Sequence, residues 1–250
     1  MELTKLEQKV LGLFKGGEIV TISNLYELNK FFKFAAMPTI KEMAFSLVRK
    51  GALIRLNRGR YLVQKTDESY DPLYMANYVF DGYIALSSAL FIYGYDPTRS
   101  FVIWGVTSSR KKVRKIGEYT YVSMPMGKFT FGATTYKGYK VSTMAKTIFD
   151  CIYNIHYMGD LKPLMDMIHD MDRRQFGDLI SYIRRYNNSS FTQRTGFILE
   201  GAGAPKDILT IIRSMIGKSV TKLDSKSNVR AKYNPLWKIL DNINLARFSK

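Results

Sequence analysis

The chain has 250 residues, 46% hydrophobic and 24% charged, with a formal net charge of +17. These proportions allow a sizeable core and exclude wholesale disorder, and no run of about 18 apolar residues is present to form a membrane span. The opening Met1-Glu2-Leu3-Thr4-Lys5 has neither the basic nor the apolar region of a secretory signal, and the single cysteine, Cys151, has no partner for an internal disulfide, so a reducing cytoplasm is expected.

The charge sits mostly at the two ends. Residues 1–65 and 155–250 carry +7 each, and residues 66–154 carry +3. Such an excess favours polyanionic partners, chiefly nucleic acid.

Residues 5–14 read as a helix with Leu6, Val10, Leu13 and Phe14 toward a core, ended by Gly16-Gly17. Residues 19–22 are short and β-branched. Ser23 or Asn24 caps a second helix with Leu25, Leu28 and Phe32 on one side, and a break follows at residues 34–37. A third helix starts at Pro38-Thr39, where the missing proline N–H is no loss. Ile40, Met43, Ala44 and Leu47 form its buried stripe, and Thr39, Lys41, Glu42, Phe45, Ser46 and Arg49 lie mostly outward. Gly51 supplies a left-handed cap. Two apolar strands then flank the hairpin residues Asn57-Arg58-Gly59.

Three helices, a small strand and a basic ribbon are the parts of a winged helix-turn-helix, in order. Residues 1–65 are therefore expected to bind double-stranded DNA. The third helix enters the major groove, with Thr39, Lys41, Glu42, Ser46 and Arg49 toward base edges and phosphates. Arg55, Arg58 and Arg60 of the ribbon meet phosphates or a minor groove. The alternative is a module used for protein contacts, its arginines merely solvated.

Residues 66–74 are polar and read as a linker. Residues 75–155 read as an α+β unit. It has a buried helix at 84–93 closed by Gly94, strands at 101–106, 119–123, 129–133 and 136–141, and a helix at 142–153 capped by Ser142 or Thr143. Residues 156–250 read as mainly helical, with helices at 161–169, 172–186, 191–201 and 206–216 and extended pieces at 219–224 and 232–240. The expected fold class is α+β: a winged helix-turn-helix, a mixed α+β domain and a mainly helical C-terminal region.

Arg110, Lys111, Lys112, Arg114 and Lys115 form the densest charge run. It is either a solvated loop between strands, a second nucleic-acid contact or a docking site for an acidic partner. Lacking interleaved aromatics, it does not suit single-strand stacking.

No residue set argues for catalysis. His156 and His169 lack metal-ligand spacing. Cys151 lies on an apolar helix face. No phosphate-binding loop is present, and Gly201-Ala202-Gly203 follows a helix and reads as its cap. Asp166, Asp170 and Asp172 read as a solvated acidic face. The expectation is a protein that is not an enzyme and needs no metal or cofactor.

Four segments together resemble the AbiEi-type antitoxins, the regulatory half of AbiE toxin–antitoxin systems. They are RKGALIRLNRGRY at 49–61, GYIALSSAL at 82–90 with Tyr93-Gly94 after it, GYKVSTMAKTIFDC at 138–151, and RTGFILE at 194–200 followed by YNPLWK at 233–238. The resemblance spans nearly the whole chain. It departs at Met144-Ala145, where family members often carry a basic residue or Glu before the Lys146-Thr147 pair. It implies a transcriptional repressor that binds repeats in its own promoter and counters a neighbouring nucleotidyltransferase-like toxin. The alternative is a solitary winged-helix regulator or nucleic-acid-binding protein with no toxin partner.

Overall fold

A computed structural model describes residues 2–33, 37–64 and 70–248. The chain opens with α1 (Lys5–Leu11), β1 (Ile19–Thr21), α2 (Ile22–Phe32) and α3 (Met37–Arg49). A hairpin of β2 (Leu53–Asn57) and β3 (Arg60–Val63) follows. Thr4 and Glu7 form a capping box on α1. The helix gives way at Gly12, earlier than expected, which leaves Leu13 exposed while Phe14 stays in the core. Thr21, not Ser23 or Asn24, caps α2, and the Asn24 side chain returns the bond. The expected break falls on residues 34–36, outside the described residues, and on Met37, which begins α3. Gly51 takes φ +77° after α3, and the Ala52 amide reaches back to the Leu47 carbonyl, the closing bond of a glycine-terminated helix.

Strands β1, β3 and β2 pair antiparallel in that order. One small core gathers Val10, Phe14, Val20, Leu25, Ile40, Leu47 and Tyr61 between the three helices and this sheet. Leu56 does not join it. With Leu62 it faces the other way, into a second core with Leu73, Met75, Ala76, Ile103 and Tyr121. The N-terminal unit therefore shares apolar surface with the central part of the chain. Residues 65–69, most of the expected linker, lie outside the described residues. From Pro72 the chain is already helical, since Asp71 caps α4 (Pro72–Val79).

The central sheet has six strands in the order β6-β7-β5-β4-β9-β8. They are β4 (Gly82–Ile84), β5 (Val102–Thr107), β6 (Lys112–Ile116), β7 (Tyr119–Pro125), β8 (Ala133–Tyr136) and β9 (Tyr139–Ser142). Helix α5 (Leu86–Tyr93) follows β4, and α6 (Met144–Tyr153) follows β9. The segment expected as one helix at 84–93 is thus a strand end plus a helix, closed by Gly94 at φ +89°. The strand expected at 129–133 is a 3-10 turn at Gly127–Phe129 and then a loop. The strand expected at 136–141 is β9 for its second half, from Tyr139 on, while Lys137 and Gly138, both at positive φ, form the hairpin turn from β8.

The remainder is α7 (Lys162–His169), α8 (Arg173–Tyr186), α9 (Ser189–Gly201), α10 (Lys206–Arg213) and a small sheet. That sheet is β10 (Thr221–Lys222), β12 (Ile239–Asp241) and β11 (Lys232–Asn234), paired in the order β10-β12-β11. A single large core runs from Leu90 and Phe149 through Leu164, Leu179 and Ile198 to Trp237, so packing shows no boundary at residue 156. The two parts of the fourth family-like segment meet here. Trp237 lies on Gly196, where a Cβ would come within 2.0 Å of the indole ring, and its Nε1 donates to Glu200 at 2.9 Å. The second and third segments meet at a buried ion pair of Lys146 and Asp150, to which the Tyr83 hydroxyl donates at 3.2 Å. The fold is mixed α+β, and no helix among the described residues is long and apolar enough to cross a membrane.

Candidate nucleic-acid interface

The 3.6-residue period of α3 separates two faces. Ile40, Met43, Ala44 and Leu47 are buried, which turns Lys41, Glu42, Phe45 and Arg49 to solvent on the opposite side. Thr39 is half-buried at the edge of that face. Ser46 is placed differently from the expectation. Its hydroxyl donates to Glu7 Oε1 at 2.7 Å, so it is held in a contact between α1 and α3.

That contact fixes the helix. Glu7 is only 4% exposed and also accepts from Lys50 Nζ at 2.6 Å and from the Thr4 amide at 2.7 Å. Burial pulls the Glu7 carboxyl upward. The bonds from Lys50, Thr4 and Ser46 outweigh it and hold the group at about 2. A charged, multiply bonded carboxylate thus pins the end of α3 to the start of α1.

The hairpin lies beside this face. Gly59 takes φ +68°, and its carbonyl accepts from the Ile22 amide at 2.8 Å, folding the turn back onto the start of α2. This leaves Arg58 exposed at the tip. Arg55 extends toward α3, its guanidinium carbon 5.8 Å from the Phe45 ring centroid. Arg60 is half-buried near Asp81 and Tyr78, where its positive charge acts on both groups. It belongs to the junction with α4 more than to the outer ribbon.

The basic run is a loop only at Arg110 and Lys111 and a strand from Lys112 on. Lys112 and Arg114 lie on β6, the edge strand of the central sheet, and that edge abuts the hairpin. Between them is a groove of about 340 Å³ lined by Arg55, Arg58, Asp81, Lys112 and Arg114. Arg114 Nη1 donates to the Leu56 carbonyl. Leu56 sits at the register shift between Arg55 and Asn57, where a bulge leaves it outside the ladder. Burial, and then the neighbouring Arg55 charge, lower the Arg114 pKa. Asp81 accepts from Asn57 at 2.8 Å and Lys112 at 3.3 Å. Burial raises its pKa, but those bonds and the Lys112 and Arg60 charges bring it below its ordinary value. Four cations and one carboxylate make the groove attractive to anions.

The rest of the run diverges. Lys111 turns to Tyr157, with Nζ 3.3 Å from its hydroxyl and 5.1 Å from its ring centroid, and Arg110 and Lys115 are exposed. The five residues are therefore not one patch. Sequence reading missed Asn57 and Asp81 as groove residues and Phe45 as a site residue. The exposed position of Phe45 on the helical wheel was the signal available.

The acidic trio is also dispersed. Asp166 pairs with Lys162, Asp170 accepts from the Tyr95 hydroxyl at 3.1 Å, and Asp172 caps α8. Cys151 is fully buried, and burial raises its thiol pKa well above the ordinary value, the setting of an inert thiol.

No family model matches the chain, and no curated protein matches it. Among solved structures it is similar to the crystal structure of the RV2827C protein from Mycobacterium tuberculosis. The TM-score is 0.67 at 15% identity, over 99% of this chain and 94% of that one. The likeness is one of fold along nearly the whole length.

Proposed function

We propose that the chain is a DNA-binding regulator whose N-terminal unit works as a winged helix-turn-helix. The observation that carries this reading is the exposed face of α3, with Lys41, Glu42 and Arg49, next to a short hairpin bearing Arg55 and Arg58. A rigid helix of this kind fits the major groove, and a cationic hairpin beside it meets the flanking phosphates. The Lys112 and Arg114 side of the groove extends the same charge. On the sequence resemblance, the regulated operon is its own, and the protein acts as antitoxin to a nucleotidyltransferase-like toxin.

The test is a gel shift with the duplex upstream of its own gene. The intact protein retards it, and the Lys41→Ala/Arg49→Ala double variant does not, although it melts normally. Equal retardation by the variant removes α3 from the interface. Growth rescue on co-expression with a neighbouring nucleotidyltransferase gene tests the antitoxin half.

A further inference from the structure

We infer that Phe45 is a specificity-determining residue that reads thymine by its C5-methyl group; this rests on the DNA-binding reading above. Phe45 is 57% exposed, although the opposite face of its helix buries Ile40, Met43, Ala44 and Leu47. On the helical wheel it stands at the middle of the solvent-facing stripe, one turn from Lys41 and one turn from Arg49. No hydrophobic core among the described residues includes it. The nearby group is Arg55, whose guanidinium carbon stands 5.8 Å from the ring centroid.

The chemistry narrows what the ring can recognise. Lys41, Glu42 and Arg49 have donors or acceptors for polar base edges and phosphates. A phenyl ring has none. The apolar group that a standard base presents in the major groove is the thymine methyl, and phenylalanine is among the side chains that contact it. A ring at the centre of the presented face is placed to bury that methyl, while the cations on either side hold the backbone.

The experiment uses the full chain and the promoter segment it protects from nuclease. Duplexes are made in which one thymine at a time is replaced by deoxyuridine, which lacks only the methyl, and binding is followed by fluorescence anisotropy. At one thymine or more, the intact protein loses roughly fourfold in affinity, the effect of failing to bury one methyl-sized group. Phe45→Ala binds the unmodified duplex more weakly and no longer distinguishes thymine from deoxyuridine there, whereas Phe45→Leu keeps part of the discrimination. Both variants melt with the parent protein because the side chain is exposed. Tight binding with no sensitive thymine overturns the inference and leaves the DNA reading standing. So does a sensitivity that Phe45→Ala keeps in full. Failure of the intact protein to bind its promoter overturns both.

Discussion

Arg114 donates to the carbonyl of Leu56, 58 residues earlier in the chain, and so joins the edge of the central sheet to the N-terminal hairpin. The bulge at Leu56 takes this carbonyl out of the β2–β3 ladder, and the guanidinium takes the place of the missing strand partner. The candidate interface and the central sheet are therefore mechanically linked. Arg114→Ala leaves the carbonyl unpaired and lowers stability by about 1–3 kcal/mol. Chemical denaturation measures the loss, and an unchanged midpoint shows that the bond contributes nothing.

Glu7 gives a pH signature. Its folded pKa of about 2 lies below the ordinary 4.5, so its contribution is fully present above about pH 4.5 and is lost as pH falls toward 2. The shift corresponds to at most about 3 kcal/mol. Urea midpoints between pH 7 and pH 2.5 fall more steeply for the parent than for Glu7→Gln, which is less stable at pH 7. Parallel pH profiles for the two proteins refute the assignment.

The helix faces and several caps of this molecule were legible because they are local. The inward stripe of α3, Gly51 and Gly94 follow from period and turn chemistry alone. Strand β6 was missed because its Lys112-Val113-Arg114-Lys115 stretch puts charge on both faces of an edge strand, which hides the apolar alternation; Gly117-Glu118, the turn into β7, was the available clue. Ser46 looked free because its partner, Glu7, lies 39 residues away. The packing of Leu56 against α4 was not legible, because nothing local says which face of the hairpin sheet meets that helix. The residue types of the candidate site were visible in sequence, and their sharing of a groove with Lys112 and Arg114 was not.

The Trp237–Gly196 contact gives a packing test. Gly196→Ala puts a methyl into the indole ring and costs roughly 1–3 kcal/mol through overpacking. Trp237→Leu in the same chain recovers part of that loss. A Gly196→Ala variant with parental thermal stability contradicts the close approach.

Lys146 and Asp150 are both fully buried, with Tyr83 on the carboxylate. Burial raises the Asp150 pKa to about 6 against the opposing effect of Lys146 and Tyr83. Lys146→Met removes the compensating charge and costs about 3–5 kcal/mol, while Lys146→Met/Asp150→Leu loses much less. Denaturant midpoints of the two variants decide; equal losses mean that the pair is not the cause.

The proposed DNA interface is the outer face of α3 together with the Arg55–Arg58 hairpin. Its most direct test is the salt dependence of binding to a labelled promoter duplex, for the full chain and for Arg58→Ala. Each phosphate contact removed lowers the log–log slope by about 0.9. A steep slope is expected for the parent and a slope lower by about one for Arg58→Ala, with melting unchanged. Promoter binding that is absent, insensitive to salt, or equally steep in the variant contradicts it.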